Sequence, residues 1–352
     1  MNSVMTMSIV LTIMRTGAAV GGSTKFGCMP GGGPPAGMLA SWSGVNPAKE
    51  SDMALVALLW ISRFNNLTLN FLIMAPESVL ITGCSDGGIG SALAIVFQQR
   101  GFHVFATARD VSKMSILSGL DDVTLLTLDV VKAADVKAAV KAVAKQTGGT
   151  LNYLVNNAGR NHFMPILDES IDVVKSLFDT NFFGPIAITQ AFAPLLIKSK
   201  GVAVYITSVS GYLNIPYMGT YSASKRSIEI VAETLRLELA PFGVDVLEVV
   251  TGAVGTNGQT YFGDFNLPSK SLYKSIEHTI AGRAQGNDGL PRMDASEYAS
   301  VVVDEITKRT TGRFWYGNNA EAVKMSTSAT DVPQSAMDAG AVIGTGLDSL
   351  GK

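Results

Sequence analysis

Charged residues are scarce in this chain of 352 residues: Asp, Glu, Lys and Arg make up 16% of it, against 47% hydrophobic residues. The formal net charge is −2, without the basic excess that a nucleic-acid-binding protein usually carries. The chain has two cysteines, three histidines and no C-x-x-C pair, which argues against a disulfide framework and against a structural zinc site. We therefore expect an intracellular, metal-free protein with one sizeable core and no nucleic-acid partner.

The first 75 residues differ in composition from the rest of the chain. Residues 1–49 contain no acidic residue and include the breaker-rich run MPGGGPP. This composition is typical of a flexible or targeting segment, although a mitochondrial presequence usually carries more arginine than Arg15 alone. We expect a cytoplasmic protein, with association with the endoplasmic reticulum or lipid droplets and mitochondrial targeting left open.

A second N-terminal stretch, 53–74, is apolar and long enough to span a bilayer. Arg63 and three asparagines interrupt it, and such groups are costly in hydrocarbon, so a peripheral or packed helix is favoured over a membrane span. An alternative is that Met74 is the natural start. The sequence does not decide whether residues 1–73 belong to the native protein.

From Ser78 onwards, short apolar strands alternate with helical stretches. The predicted strands cover 78–81, 103–108, 123–128, 151–155, 202–207 and 244–250, and the predicted helices cover 91–99, 134–146, 168–180, 184–199 and 221–240. This alternation predicts right-handed βαβ units and a mostly parallel sheet covered on both faces. We expect one α/β domain over 76–325, an irregular N-terminal extension over 1–75, and a C-terminal tail over 326–352.

A glycine-rich segment, TGCSDGGIG at 82–90, follows the first predicted strand and opens the first helix. Such a turn lets backbone N–H groups approach a pyrophosphate, and the helix N-terminus adds partial positive charge. Gly83 would allow the turn, Ser85 could donate to a phosphate, and Gly90 would permit close packing of helix and strand. Taken alone, the segment is equally consistent with an ordinary glycine-rich turn.

The end of the second predicted strand indicates which dinucleotide is preferred. Enzymes that use NAD commonly place a carboxylate there, whereas an arginine accommodates the 2′-phosphate of NADP. This chain has Arg109 at that point. Asp110 is a competing carboxylate, unless it caps the segment that follows. The position favours NADP(H).

The pattern Tyr221-x-x-x-Lys225 provides the candidate proton-transfer group. Residues four apart share one face of a helix, and an ammonium beside a phenol favours the phenolate, lowering its pKa from about 10. Ser208, after the predicted strand 202–207, could offer a hydroxyl to the same substrate oxygen. The spacing alone is common, and a packed tyrosine with a solvated lysine would also produce it. Together with the glycine loop, it predicts proton transfer to and from an alcohol.

These motifs together resemble the short-chain dehydrogenase/reductase family. The resemblance rests on 82–90, Leu128-Asp129-Val130, Asn156-Asn157-Ala158-Gly159, Asn181, Ser208, Tyr221, Lys225 and 251–256. Within the family, 79–94, 105–109, 235–243 and 249–257 are most similar to the fungal NADPH-dependent 1-acyldihydroxyacetone-phosphate reductase group. The resemblance implies a single doubly wound Rossmann-type domain with a mostly parallel seven-stranded sheet. It also implies an NADP(H)-dependent oxidoreductase acting on CH–OH groups.

The resemblance also implies a role for each matching residue. Tyr221 would be the general acid and base, Ser208 would orient the carbonyl, and Lys225 would hold the nicotinamide ribose. Asn181 would hold a water leading to Lys225, or alternatively would bend its helix. The implied cofactor-binding residues are Gly83, Ser85, Ile89, Gly90, Arg109, Asp129, Val130, Asn157, Gly159, Tyr221, Lys225, Val254 and Thr256. For several of these residues a strand-end cap, a tight turn or plain loop packing remains an alternative.

Two positions depart from the family pattern. The glycine loop has one residue more than the usual TGxxxGxG, a form that the reductase group shares. Thr251 replaces the proline that most members have before Gly252, and we expect this change to make the turn less rigid.

The segment 258–289 corresponds to the family's substrate lid, and its apolar residues favour a bulky, hydrophobic ketone or secondary alcohol. The partners expected are that substrate, with a homo-oligomer and peripheral membrane association left open. The expected function is that of a reductase in fungal secondary metabolism. The alternatives are reduction of acyl-dihydroxyacetone phosphate in lipid biosynthesis and a non-catalytic dinucleotide sensor. The expected wall residues are Tyr261, Phe262, Phe265, Leu267 and Leu272 on the lid, and Met164, Leu213, Tyr217 and Met218 opposite.

Overall fold

The computed structural model describes residues 76–328 and, beyond them, 336, 340 and 343–346. The predictions for the N-terminal extension 1–75, for most of the tail and for the side chain of Tyr261 lie outside the described residues.

Within the described residues, seven strands form one parallel sheet in the order β3-β2-β1-β4-β5-β6-β7. The doubly wound fold predicted from the sequence is confirmed, and the strand order reverses between β1 and β4. In such sheets a ligand binds at the carboxyl ends of the strands beside this reversal. The strands are β1 Ser78–Thr82, β2 His103–Ala108, β3 Val123–Thr127, β4 Tyr153–Asn156, β5 Val202–Ile206, β6 Asp245–Thr251 and β7 Gly312–Tyr316.

Helices cover both faces of the sheet, which is why successive residues of β1 are all buried: Val79 and Ile81 pack on one face and Leu80 on the other. The face of Val79 is covered by α1 and α7, and the opposite face by α2, α4 and α5. The helices are α1 Ile89–Gln99, α2 Ala133–Thr147, α3 Ile171–Phe178, α4 Gly184–Ser199, α5 Gly219–Leu239, α6 Glu277–Ala284, α7 Ala295–Thr307 and α8 Ala320–Ser328.

The run Ile171–Ser199 is long and apolar enough, by length and composition, to cross a membrane. It is a core element of the fold, because Ile188, Phe192 and Leu196 are fully buried against the sheet. Its middle is a π-helical turn, Asp179–Phe183, which joins α3 to α4.

Strand β4 begins two residues later than the sequence pattern predicts. The Leu151 N–H donates to the carbonyl of Leu195 at 3.2 Å, and the Leu151 carbonyl accepts the Ser199 hydroxyl at 2.5 Å. The backbone of Leu151 therefore bonds to α4, while its side chain is fully buried in the core.

A polar cluster interrupts the core where α5 meets β6 and β7. Glu229 accepts from Arg226 at 2.7 Å and lies 3.2 Å from Arg313. Glu248, in the middle of β6, is fully buried and lies 3.8 Å from the same Arg313. Burial and the neighbouring carboxylates Glu229 and Glu233 raise the pKa of Glu248 to about 9. The neutral acid is therefore the favoured form of Glu248 at physiological pH.

Candidate active site

The glycine loop between β1 and α1 is held from behind by Asn157, which follows β4. The Asn157 amide donates to the carbonyl oxygens of Thr82 at 2.8 Å and Gly83 at 3.0 Å. Gly83 has a positive φ of +76°, a conformation that glycine adopts readily. At Gly90 a Cβ would lie 2.5 Å from the Asn157 amide nitrogen, so the position has no room for a side chain. The loop thus presents bare backbone at the start of α1, where a pyrophosphate would be held.

The glycine loop is also held by a side chain of its own. Asp86 accepts from the backbone N–H and hydroxyl of Ser115, at 2.9 and 2.6 Å. Its own N–H donates to the carbonyl of Lys113 at 2.8 Å. These bonds join the glycine loop to the short helical segments that follow β2.

The end of β2 borders a cavity of about 330 Å³, lined by Ser85, Arg109, Asp110, Lys113, Asp129 and Lys132. Asp110 caps the segment that follows it, accepting from the Ser112 N–H at 3.0 Å and the Ser112 hydroxyl at 2.7 Å, and these bonds lower the pKa of its carboxyl group. Within the described residues no ion pair or hydrogen bond engages the Arg109 guanidinium. The Arg109 guanidinium fits a dinucleotide that carries a 2′-phosphate, since the competing carboxylate of Asp110 is already bonded to Ser112.

Asp129 and Val130 lie after β3 and are held by local contacts. The Asp129 N–H donates to Asp135 at 3.1 Å, and its carboxylate accepts from the Val131 N–H at 3.3 Å. Val130 is 7% exposed and packs so closely on Gly184 that a Cβ there would lie 2.7 Å from it. The strand-end cap that the sequence left open for Asp129 is therefore present, and contact of these residues with an adenine stays a prediction.

Tyr221 and Lys225 lie on α5 and both reach the carboxyl end of β5. The Lys225 ammonium donates to the carbonyl of Ile206, the last residue of β5, at 2.9 Å. The Tyr221 phenol makes hydrogen bonds with the hydroxyls of Ser208 and Ser210, which come directly after that strand. Burial lowers the pKa of Lys225 to about 8. A serine hydroxyl, a phenol and a buried amine thus converge at one strand end.

The expectation that Lys225 lowers the pKa of Tyr221 is wrong for this structure. Burial raises the pKa of the phenol above its ordinary value, and the hydrogen bonds with Ser208 and Ser210 oppose this effect. The ammonium instead satisfies the Ile206 carbonyl. Tyr221 is therefore protonated at neutral pH, the state required of a proton donor.

Asn181 sits in the π-helical turn and binds the backbone on the other side of the site. Its amide oxygen accepts the Arg160 N–H at 2.9 Å, and its amide nitrogen donates to the Arg160 carbonyl at 3.0 Å and to Ser224 at 3.1 Å. A Cβ at Gly159 would lie 3.3 Å from the Asn181 amide oxygen and 3.5 Å from the Lys225 ammonium. Asn181, Gly159 and Lys225 are thus neighbours, while the water-holding role of Asn181 stays a prediction.

The turn after β6 is anchored by hydrogen bonds on both sides, while the lower rigidity expected from Thr251 stays a prediction. The Thr251 hydroxyl forms a hydrogen bond with the Tyr298 hydroxyl at 2.7 Å, and the Gly252 N–H donates to Tyr316 at 2.8 Å. Beyond the turn, Val254 is 7% exposed. Thr256 caps the segment Asn257–Phe262 by accepting the Gly258 N–H at 3.2 Å. Contacts of Val254 and Thr256 with a cofactor stay predictions.

The lid residues divide into packed and exposed groups. Leu267 is 4% exposed and packs with Phe163 and Tyr217 in a buried cluster. Phe262 and Phe265 are partly buried in the same cluster. Leu272 is 74% exposed.

Two features of this site were not predicted from the sequence. Ser210 binds both the Ser208 hydroxyl, at 2.9 Å, and the Tyr221 phenol. The spacing Ser208-x-Ser210 is a signal that could have drawn attention to it. A buried pair, His162 and Glu169, lies beside the start of α5. Nothing in their spacing points to that helix.

A family model described as short chain dehydrogenase matches residues 77–265. The chain belongs to the short-chain dehydrogenase family. A short-chain dehydrogenase of Penicillium crustosum is 48% identical over 247 residues, covering 70% of this chain and 90% of that protein. An NADPH-dependent 1-acyldihydroxyacetone phosphate reductase of Schizosaccharomyces pombe is 42% identical over 246 residues, covering 69% of this chain and 81% of that protein. The family resemblance predicted from the motifs is confirmed, and the chain is an oxidoreductase.

Solved structures of the family share the fold. A short-chain dehydrogenase from Streptomyces avermitilis is 28% identical with a TM-score of 0.63, covering 72% of this chain and 92% of that one. A short chain dehydrogenase from Burkholderia cenocepacia, solved in complex with NADP, is 22% identical with a TM-score of 0.61, covering 76% of this chain and 98% of that one.

Proposed function

We propose that this short-chain dehydrogenase is an NADP(H)-dependent ketoreductase that interconverts a hydrophobic ketone and a secondary alcohol. The convergence of Ser208, Tyr221 and Lys225 at the carboxyl end of β5 is the observation that carries the proposal. Arg109, whose guanidinium has no partner among the described residues, supports the choice of cofactor, as does the NADPH dependence named for the Schizosaccharomyces relative.

The chemistry follows from the protonation states of the site. Bound NADPH supplies the hydride that the carbonyl carbon receives. The Ser208 hydroxyl, oriented by Ser210, donates to the carbonyl oxygen and stabilises the negative charge that develops there. The Tyr221 phenol, kept protonated by burial, transfers its proton to the same oxygen, which completes the alcohol. Lys225, with Asn157 and Gly159, would hold the nicotinamide ribose.

The substrate proposal rests on the apolar residues of the segment 258–289. Phe163, Tyr217 and Leu267 form a buried cluster that packs this segment on the loop after β4. An apolar segment beside the site suits a bulky apolar ketone, either a lipid intermediate or a secondary metabolite. The second candidate is acyl-dihydroxyacetone-phosphate reduction, which the name of the relative that is 42% identical favours. Cellular location, membrane association and oligomeric state stay predictions.

The test is an NADPH-consumption screen over hydrophobic ketones, including acyl-dihydroxyacetone phosphate and polycyclic ketones. With an active ketone, Tyr221→Phe should lower kcat by about 10²–10⁴-fold, the usual contribution of a general acid, while NADPH binding persists. Tyr316→Phe, on β7, is the matched control for removal of a phenolic hydroxyl. Wild-type turnover by correctly folded Tyr221→Phe would show that the assignment is wrong.

A further inference from the structure

A buried imidazole–carboxylate pair lies between the loop after β4 and the helix that carries Tyr221. His162 Nε2 donates to Glu169 Oε2 at 2.8 Å, and the two side chains are 10% and 4% exposed. The second carboxylate oxygen, Oε1, accepts the hydroxyl of Thr220 at 2.7 Å. Both oxygens of Glu169 are therefore occupied by donors that come from different segments.

Thr220 is the residue directly before Tyr221 and lies in the first turn of α5. The N-cap residue of this helix is Met218, whose side chain makes no capping hydrogen bond. A carboxylate near a helix N-terminus is favoured by the helix dipole and by the unsatisfied N–H groups there. Glu169 thus supplies, from a distant segment, the restraint that a capping side chain usually gives.

The same loop contacts two of the three residues that precede Thr220, namely Tyr217 and Gly219. The Met164 N–H donates to the Tyr217 carbonyl at 2.7 Å, and Tyr217 has a φ of +70°, which is strained for a bulky residue. A Cβ at Gly219 would lie 2.8 Å from the Ile166 side chain. The entry into α5 therefore has its position set by residues 162–169.

A buried ionisable pair is a costly way to fill space. Removing an imidazole and a carboxylate from water is unfavourable unless the bonds formed inside are well placed, and apolar residues of similar volume pack as well. The His162–Glu169 pair fixes the direction of two hydrogen bonds, which an apolar pair cannot do. Such a pair suits a position where orientation matters.

We propose that His162 and Glu169 are positioning residues for Tyr221. His162 orients the Glu169 carboxylate, which holds Thr220 and so fixes the first turn of α5 with the phenol against Ser208. This inference rests on the proposed role of Tyr221 in proton transfer.

The test compares kcat with NADPH binding in variants of the intact enzyme. Thr220→Val keeps the shape of the side chain but removes the hydroxyl. Glu169→Gln replaces one acceptor by a donor, so one of its two bonds is lost. A displacement of about 1 Å can cost 10²-fold in rate, so we expect kcat to fall by about 10- to 100-fold in both variants. The NADPH dissociation constant, measured by fluorescence titration, should stay within about twofold, because the glycine loop is untouched.

Two further variants separate positioning from general damage to the fold. Thr220→Ser restores the hydroxyl and should recover most of the rate. In a Tyr221→Phe background, Thr220→Val should lower kcat by a further factor of less than about two, because the phenolic hydroxyl that Thr220 positions is already absent.

Unchanged kcat in Thr220→Val and Glu169→Gln would overturn the proposal. The proposal would also be overturned if these variants lost turnover and NADPH binding equally. It would likewise be overturned if Thr220→Val lowered kcat as much in the Tyr221→Phe background as in the wild-type enzyme. These results differ from wild-type turnover by Tyr221→Phe alone, which would remove the proposed function itself.

Discussion

Replacing Glu248 with glutamine should stabilise the protein progressively as the pH rises. Glu248 is fully buried in β6 beside the carboxylates of Glu229 and Glu233, and Arg313, at 3.8 Å, is its nearest cation. Its neutral form is favoured in the folded state, and the pKa rises from the ordinary value of 4.5 to about 9. The unfolded chain has no such environment, so there the group ionises normally.

The sign and size of the effect follow from proton linkage. Between pH 4.5 and about 9 the folded protein holds a proton on Glu248 that the unfolded chain has released. The stability associated with this group is complete below pH 4.5, falls as the pH rises, and is fully lost above about 9. The slope is about 1.4 kcal/mol per pH unit, so the wild-type protein loses up to about 4 kcal/mol from pH 5 to pH 8.

Glutamine is neutral at every pH and has nearly the same shape as the protonated glutamate. The free energy of unfolding should therefore differ little between wild type and Glu248→Gln at pH 5. The variant should be the more stable protein at pH 8, by up to about 4 kcal/mol. Urea unfolding followed by circular dichroism at several pH values measures this difference. Glu238→Gln, an exposed change on α5, is the matched control and should leave the pH dependence of the wild-type protein unaltered.

Parallel stability curves for wild type and Glu248→Gln across pH 5–8 would refute the reasoning. They would mean that Glu248 ionises in the folded protein as easily as in the unfolded chain.

Two other changes test the cofactor end of the site. Gly90→Ala should abolish measurable NADPH binding in a fluorescence titration and destabilise the protein by about 1–3 kcal/mol. The reason is that the new methyl group would lie 2.5 Å from the Asn157 amide nitrogen. Unaltered binding and stability would contradict the close packing of Gly90 against Asn157. Arg109→Ala should raise KM for NADPH by about tenfold or more while leaving KM for NADH nearly unchanged, because only NADPH carries the 2′-phosphate. Steady-state kinetics with both cofactors checks this, and an equal effect on the two would rule out phosphate recognition by Arg109.

Much of the fold follows from local sequence patterns, because each of the first six strands is a short apolar run next to a clear helix or turn. Strand β7 was not located from the sequence, although the family resemblance implied seven strands. Its residues Gly312–Tyr316 form the edge of the sheet and are only partly buried, so hydrophobic pattern is weak there. Helix α7, directly before it, was missed as well, since the segment 258–289 was interpreted as a lid and no element was predicted over 290–311.

The site shows the same division between local and distant information. Ser208, Tyr221 and Lys225 lie within one strand–loop–helix unit, so their spacing along the chain is enough to bring them together. The contact of Glu169 with Thr220 joins residues 51 positions apart, and it depends on how the loop after β4 folds over α5. The protonation state of Tyr221 was likewise beyond the sequence, since burial and Ser210 determine it.

The hydrogen bonds of Asp86 have a consequence for the arrangement of the two ends of the dinucleotide site. Through Asp86, the backbone that would cradle the pyrophosphate is bonded to Ser115 and Lys113, in the stretch that begins at Arg109. The segment that carries Arg109 and the backbone that would cradle the pyrophosphate are therefore held together at Asp86, independently of the Arg109 side chain itself.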